Sequence, residues 1–324
     1  MKKTLLMFGL IIATSFFAPA AAQISVGRDK VGSLEKFKKG EYDIIKSKTS
    51  IFVNDDFTID EMETILKQVW TINPYKVISR EEFEKNASKY VTENNAIWKM
   101  NALLKTKTSQ KGFTSEYLYV YYEYFYPTDI KEKKKKLDYD TNEIAAIFMG
   151  GNTDAMWEMV RKVKFGDLQE DLYNYQLGYV KNYLQYVNNL LVNQGTSWVY
   201  DTDYDKAKVK ELATKTIYVP EYLKTKSIWG YKDKDRLNPD ELFEKYPYKY
   251  EWISDEALNK KILAGGSEDF YYVFYTKVNG QKMVTVTNGK NGDVIYKDYQ
   301  TMSYQLKPKD LGELADAVKK SLKK

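Results

Sequence analysis

Apolar residues return along this chain with two periods, near 3.6 and near 2, and the order in which they alternate occurs twice. After a polar lead-in, Ser50-Ile51-Phe52-Val53 reads as a short strand that ends at Asn54-Asp55-Asp56. Thr58 and Glu61 have the spacing of a capping box, and Ile59, Met62, Leu66 and Val69 follow on one helical face. Pro74 to Ile78 reads as a second strand that runs into another cap, Ser79 with Glu82, and a helix carrying Phe83, Ala87 and Tyr90. The period then shortens. Trp98, Met100, Ala102 and Leu104 alternate with Lys99, Asn101, Leu103 and Lys105, which predicts a strand, and Gln110-Lys111-Gly112 supplies a turn. Glu116 to Tyr126 predicts a long strand closed by Pro127, and Glu143 to Met149 a third. Thr153 caps a helix through Met156, Trp157 and Val160.

The second half repeats this order. Thr216-Ile217-Tyr218-Val219 matches Ser50-Ile51-Phe52-Val53, and Asn238-Pro239-Asp240-Glu241 opens a helix with Leu242 and Phe243. Pro247-Tyr248-Lys249 matches Pro74-Tyr75-Lys76, and Trp252-Ile253-Ser254-Asp255-Glu256 matches Val77-Ile78-Ser79-Arg80-Glu81 with slack between the two matches. Leu258 and Ile262 mark the next helix. Three strands, 270–278, 282–287 and 294–299, are joined by Asn279-Gly280 and by Asn288-Gly289 to Gly292-Asp293, and a closing helix starts at Pro308.

Between the halves lies a stretch from Asp167 to Gln194 in which Tyr173, Leu177, Val180, Leu184, Val187 and Leu191 recur at helical spacing. Tyr175, Tyr179, Tyr183 and Tyr186 form a second edge, so the predicted helix, roughly 42 Å long, needs neighbours on two sides. Two modules of its own chain would fill both; its copy in a homodimer is the other arrangement. The expected fold is therefore α+β or α/β: two duplicated β-α-β-α-β-β-β-α modules with mixed sheets, joined by a long central helix. The boundaries read as a lead-in at 23–45, a first module at 46–165, a connecting helix at 166–195 and a second module at 196–324.

Composition narrows the function. Lys2 and Lys3, an apolar run from Leu5 to Phe17, and Ala20-Ala21-Ala22 have the order of a signal peptide cleaved after Ala22, which places the mature chain in the periplasm or outside the cell without a membrane span. The 50 basic and 45 acidic residues are too balanced to predict a nucleic-acid partner. With no histidine and no cysteine, Ser-His and Cys-His nucleophiles, thiol redox chemistry and most zinc, copper and haem sites are excluded, and no cofactor is expected. Carboxylates remain as catalytic candidates, in the pairing a glycosidase uses.

Asp201, Asp203 and Asp205 alternate as the opening of a calcium loop does, but Lys206 and Leu212 occupy the positions that need glycine and glutamate. A solvated loop is the simpler reading. Lys131 to Lys136 reads as a solvated hairpin tip. Tyr117, Tyr119 and Tyr121 lie on one face of their strand and Tyr122, Tyr124 and Tyr126 on the other, so one set belongs to the core and the other is a candidate aromatic platform unless a helix covers it.

The element order, with a strand entering Ser79-Arg80-Glu81 or Ser254-Asp255-Glu256 and the hairpin Asn291-Gly292-Asp293-Val294 before a final helix, resembles that of CsgG-like and TolB N-terminal envelope domains. The meander from Phe270 to Tyr299 also resembles the small secreted PepSY type. The chain lacks the lipid-attachment cysteine of pore-forming CsgG-like members. Those families act as docking and assembly modules, so the resemblance implies a non-enzymatic scaffold for an unidentified protein or surface polymer. A carbohydrate-active enzyme with an Asp/Glu pair is the alternative.

Overall fold

The computed structural model describes residues 23–30, 33–133, 136–162, 165, 167–224, 238–303 and 305–323; the predicted signal segment and residues 134–135 lie outside this range. In chain order the first half holds β1 (Ile24–Val26), β2 (Arg28–Lys30), β3 (Ser33–Glu35), α1 (Glu41–Ser47), β4 (Thr49–Asn54), α2 (Ile59–Val69), β5 (Tyr75–Ser79), α3 (Arg80–Lys85), α4 (Ala87–Tyr90), β6 (Asn95–Thr108), β7 (Thr114–Lys133), β8 (Lys136–Phe148) and α5 (Thr153–Lys162). Then come α6 (Leu168–Asp171) and α7 (Leu177–Val192). The second half holds β9 (Asp203–Tyr204), α8 (Lys206–Val209), β10 (Ile217–Pro220), α9 (Pro239–Phe243), β11 (Tyr250–Ile253), α10 (Asp255–Ala264), β12 (Tyr271–Val278), β13 (Gln281–Asn288), β14 (Val294–Thr301) and α11 (Pro308–Leu322).

Both halves build a mixed six-stranded sheet with one strand order. The first is β5-β4-β6-β7-β8-β1 and the second β11-β10-β12-β13-β14-β9. In each, two strands flank the first strand of the repeat in parallel, as helical crossovers require, and the last three form an antiparallel meander. A short antiparallel strand, β1 or β9, closes the far edge.

The pairing corrects the sequence match by one residue. Phe52 lies opposite Val77, two residues before the cap Ser79, whereas Val219 lies opposite Trp252, two residues before the cap Ser254. Phe52 therefore corresponds to Val219, not to Tyr218. With a side-chain period of two, that slip exchanges the faces. Phe52, Val77 and Trp98 pack with Met62 and Leu66 of α2 and with α7, and their counterparts Val219 and Val273 pack with Leu242 and Phe243 of α9 and with Leu311 and Leu314 of α11. The opposite faces carry α3 and α4 over Ile51, Val53 and Ile97, and α10 over Tyr272 and Phe274.

The counterpart of α11 is thus α7, which lies beside α2 as α11 lies beside α9. The helix α5, which the sequence pairs with α11, lies over β6 and β7 instead. The long helix is also shorter than its periodicity predicts: α7 has 16 residues, about 24 Å. Asp167 caps only the four-residue α6, after which Leu172 bridges to Gly151 and the Asn174 side chain accepts from Gly150 N and donates to Phe148 O. These bonds hold 172–176 out of helical geometry, and Tyr173, placed on the stripe by its spacing, stays exposed.

Burial of α7 is two-sided, as its stripes require. It packs against α2 of the first half and α10 of the second, and only Asn189 and Val192 of its residues are exposed. Its buried polar groups each serve a neighbour. Asn188 Oδ1 accepts from Thr71 N and Ile72 N, Asn182 Nδ2 donates to Gly289 O, and Lys181 Nζ donates to Ile262 O. A single apolar core consequently runs from the first sheet through α7 to the second.

Pro127 does not end its strand. It lies opposite Thr141, beyond the last pair of the β6 ladder (Ile97 with Phe125), a position that tolerates the missing N–H. No helix among the described residues is long and apolar enough to cross a membrane.

Candidate functional site

The six tyrosines of β7 do not make an exposed platform. Tyr122, Tyr124 and Tyr126 are buried under α2 and α7, with the Tyr124 ring stacked 4.7 Å from Trp98 and its hydroxyl bonded to Ser50 Oγ at 2.7 Å. Burial pushes the Tyr124 phenol up to about 12. On the other face Tyr119 is buried against Phe148, Val199 and Met283, and Tyr117 and Tyr121 are half-buried beside it. From Tyr119 to Tyr126 both faces are core, because the second half of the chain covers the side that α2 does not, while Tyr117 lies at the edge of that cover.

The three alternating aspartates do not converge on a cation. Asp201 accepts from Lys297 Nζ at 3.5 Å, Asp203 sits in β9 opposite Lys297, and Asp205 caps α8 by accepting from Ala207 N and Lys208 N at 2.8 and 3.2 Å. A different carboxylate group does cluster: Asp298, Asp310 and Glu313. Its centre is taken by the Gln300 amide, whose Nε2 donates to all three at 2.6, 3.0 and 3.3 Å, while Lys282 Nζ reaches Asp310 at 2.6 Å. These donors occupy the oxygens that a cation would need and tie α11 to β13 and β14.

A cleft of about 830 Å³ lies where the lead-in, the end of α7 and the edge of the second sheet meet. Phe37 and Tyr42 form one wall in an edge-to-face pair 5.0 Å apart, and the Tyr42 hydroxyl donates to Gly195 O. An ion pair between Arg28 and Glu41 holds that segment in place. The floor is the last turn of α7, with Tyr186, Asn189, Leu190 and Asn193. That helix ends at Val192, and beyond it Gln194 takes φ 55° and Gly195 N donates to Leu190 O at 2.7 Å.

Asp205, Lys208 and Asp293 form the opposite wall, since Asp205 N donates to Ile295 O and brings the start of α8 against the start of β14. The tight turn before Asp293 lies on α7: a Cβ on Gly292, which has φ 76°, would stand 2.4 Å from Asn182 O. Burial pushes the Asp293 carboxyl up, against the opposing Asn291 hydrogen bond and Lys208 charge, and the charges of Asp205 and Asp269 add to the rise. The cleft thus offers ring surface, three side-chain amides counting Gln194, two carboxylates and, with Lys36, two lysines. Such a lining suits a hydroxyl- and amide-bearing chain. The sequence marks Asp205 as part of a solvated loop with an incomplete calcium pattern and Asp293 only for its turn, and nothing in their spacing brings residues so far apart together.

A second, smaller cavity of about 40 Å³ lies between Gly150-Gly151 and β12, where burial pushes the Lys277 ammonium down to about 8. Its volume holds no more than a few waters. No family model, curated protein or solved structure matches the chain.

Proposed function

We propose that this chain is an exported, non-enzymatic envelope protein whose two modules form a rigid binding scaffold, with the cleft beside the end of α7 as its ligand site. The observation that carries the reading is the composition of that cleft, where the Phe37–Tyr42 pair faces Asn189, Asn193 and two carboxylates across about 830 Å³. A pyranose ring or a peptide backbone presents the same mixture of apolar faces and polar edges, and a surface polymer supplies either. Export rests on the order of Lys2-Lys3, the apolar run and Ala20-Ala21-Ala22, and the likeness to docking domains of the CsgG and TolB type belongs to the same proposal.

One observation favours a second reading. Asp205 and Asp293 line the same cleft as the aromatic pair, and the raised Asp293 carboxyl has the character of a general acid. The capping bonds on Asp205 weigh against it, because one of its oxygens already serves α8.

Calorimetric titration with purified envelope polysaccharide fragments separates the two. Saturable binding that is lost in Phe37→Ala and in Asn193→Ala, with no release of reducing ends, is the outcome expected of a scaffold. Release of reducing ends that stops in Asp293→Asn would replace it with hydrolysis, and the absence of any binding would remove the cleft from both.

A further inference from the structure

The strands β6 and β7 outrun the rest of their sheet. The ladder to β8 begins at Tyr121 opposite Phe148, and that to β4 reaches only Trp98, so beyond Asn101 and Tyr121 the pair continues as a two-stranded ribbon. Its base is clamped, since Asn279 of the β12–β13 turn accepts from Leu118 N and donates to Leu118 O. Beyond that clamp the ribbon is exposed or half-buried on both faces.

Alternation sorts its side chains. Lys105 lies opposite Tyr117 and Lys107 opposite Ser115, so Leu103, Lys105, Lys107 and Tyr117 share one face. Thr106, Thr108, Thr114 and Glu116, the only acidic residue of the ribbon, share the other. The Lys107 ammonium lies 5.5 Å above the Tyr117 ring. At the apex a closed turn presents Phe113: Ser109 N donates to Phe113 O, Gly112 N to Ser109 O and Phe113 N to Ser109 Oγ, with Gly112 at φ 81°. Phe113 is 72% exposed and Leu103 is 38% exposed, beside the exposed Lys107 and Lys111. The balanced charge of the whole chain hides this local arrangement, in which lysines and apolar groups share a face and the acid is turned away.

We propose that this ribbon is a membrane-contact element, which lays its lysine face on an anionic phospholipid surface and sets Phe113 into the headgroup layer. The charge order fits that occupant: cations run along the ribbon and end in an aromatic group, as in segments that combine attraction to anionic lipid with shallow apolar insertion. Hydroxyl and amide side chains make up most of the rest of the tip and are at home among headgroups. A hydrogen-bonded turn also holds the phenyl outward, so little ordering is needed on contact. This surface lies apart from the cleft, and the proposal holds whichever ligand the cleft takes.

The test is sedimentation of the whole protein with vesicles of equal parts phosphatidylglycerol and phosphatidylethanolamine, against vesicles of phosphatidylcholine alone. Binding to the first and not the second is expected. Lys105→Glu and Lys107→Glu should each weaken it about fivefold or more, and Phe113→Ser about tenfold, with unchanged melting temperatures because all three sites are on the free ribbon. As the chain has no cysteine, Gln110→Cys and Lys320→Cys each give one site for an environment-sensitive dye. A blue shift with anionic vesicles at position 110 and none at 320 supports insertion of the tip. Binding that survives all three substitutions, equal shifts at both positions, no vesicle binding, or vesicle binding abolished by soluble polyphosphate without any shift at 110 would each overturn it, the last by pointing to a soluble polyanion.

Discussion

Lys282 and Asp310 are both closed to solvent, with their charged atoms 2.6 Å apart. Each makes further hydrogen bonds, since Lys282 also donates to Gln305 O, and Asp310 accepts from Lys307 N and Gln300 Nε2. Removing one partner leaves a buried charge, so Lys282→Met should cost roughly 3–5 kcal/mol in urea unfolding, while Lys282→Met with Asp310→Leu should recover most of it. A single variant as stable as the parent would mean that the pair does not fasten α11. Asp255 makes a pH prediction of the less usual sign. Burial is the main reason its carboxyl rises from 3.8 to about 6, opposed by hydrogen bonds from the Tyr222 backbone and from the Tyr179 hydroxyl, with Glu221 adding to the rise. The folded state therefore binds this proton more tightly than the unfolded chain, and the contribution to stability is present below 3.8 and lost as pH rises through about 6. Comparing melting temperatures of the parent and Asp255→Asn from pH 4 to pH 7 should show the variant gaining on the parent as pH rises. A constant difference would assign Asp255 no titration in that window.

Among the elements, α7 and α11 occupy equivalent places and differ in what lies outside them. Leu184 in α7 is fully buried, and Leu184→Ala should lower stability by roughly 2–5 kcal/mol. Gly178 shows why the helix sits so close to α10: a Cβ there would stand 2.9 Å from Asn259 Oδ1 and 3.1 Å from Ile262 Cβ. Gly178→Val should therefore cost about 1–3 kcal/mol by overpacking and loosen the contact between the halves, as faster amide exchange in α10 would report. The capping box at Thr58 and Glu61, the cap at Ser79 and the alternation from Trp98 to Leu104 are legible in the sequence because each is a local agreement between side chain and backbone. The register of β4 against β10 is not. Ile-aromatic-Val occurs in both, and only pairing with Val77 and Trp252 shows that the likeness is one residue out. The cleft is hidden for the same reason, since Phe37, Asn189 and Asp293 meet only after both sheets have formed.

At the level of the molecule, the two halves are stacked in one sense. The α2 face of the first meets, through α7, the α10 face of the second, which is the side opposite α9. Because one core crosses that junction, calorimetry should record a single unfolding transition, and two separated ones would show the halves to be independent. Unlike faces meet across that junction, which a two-fold turn cannot do, so the ends of the molecule are unlike, and repeating the same step would build a ring or an open filament. The outer side of α11 is where the next unit would seat, and it carries the exposed charges Lys309, Asp316, Lys319 and Lys320, whereas α7 meets the second half through Gly178, Tyr179 and the hydrogen-bonded Lys181 and Asn182. Burying those charges would oppose such stacking, so with Lys309, Asp316 and Lys319 replaced by leucine, sedimentation velocity should show end-to-end chains that lengthen with concentration; a variant that keeps the size of the parent would show that the charges do not limit assembly.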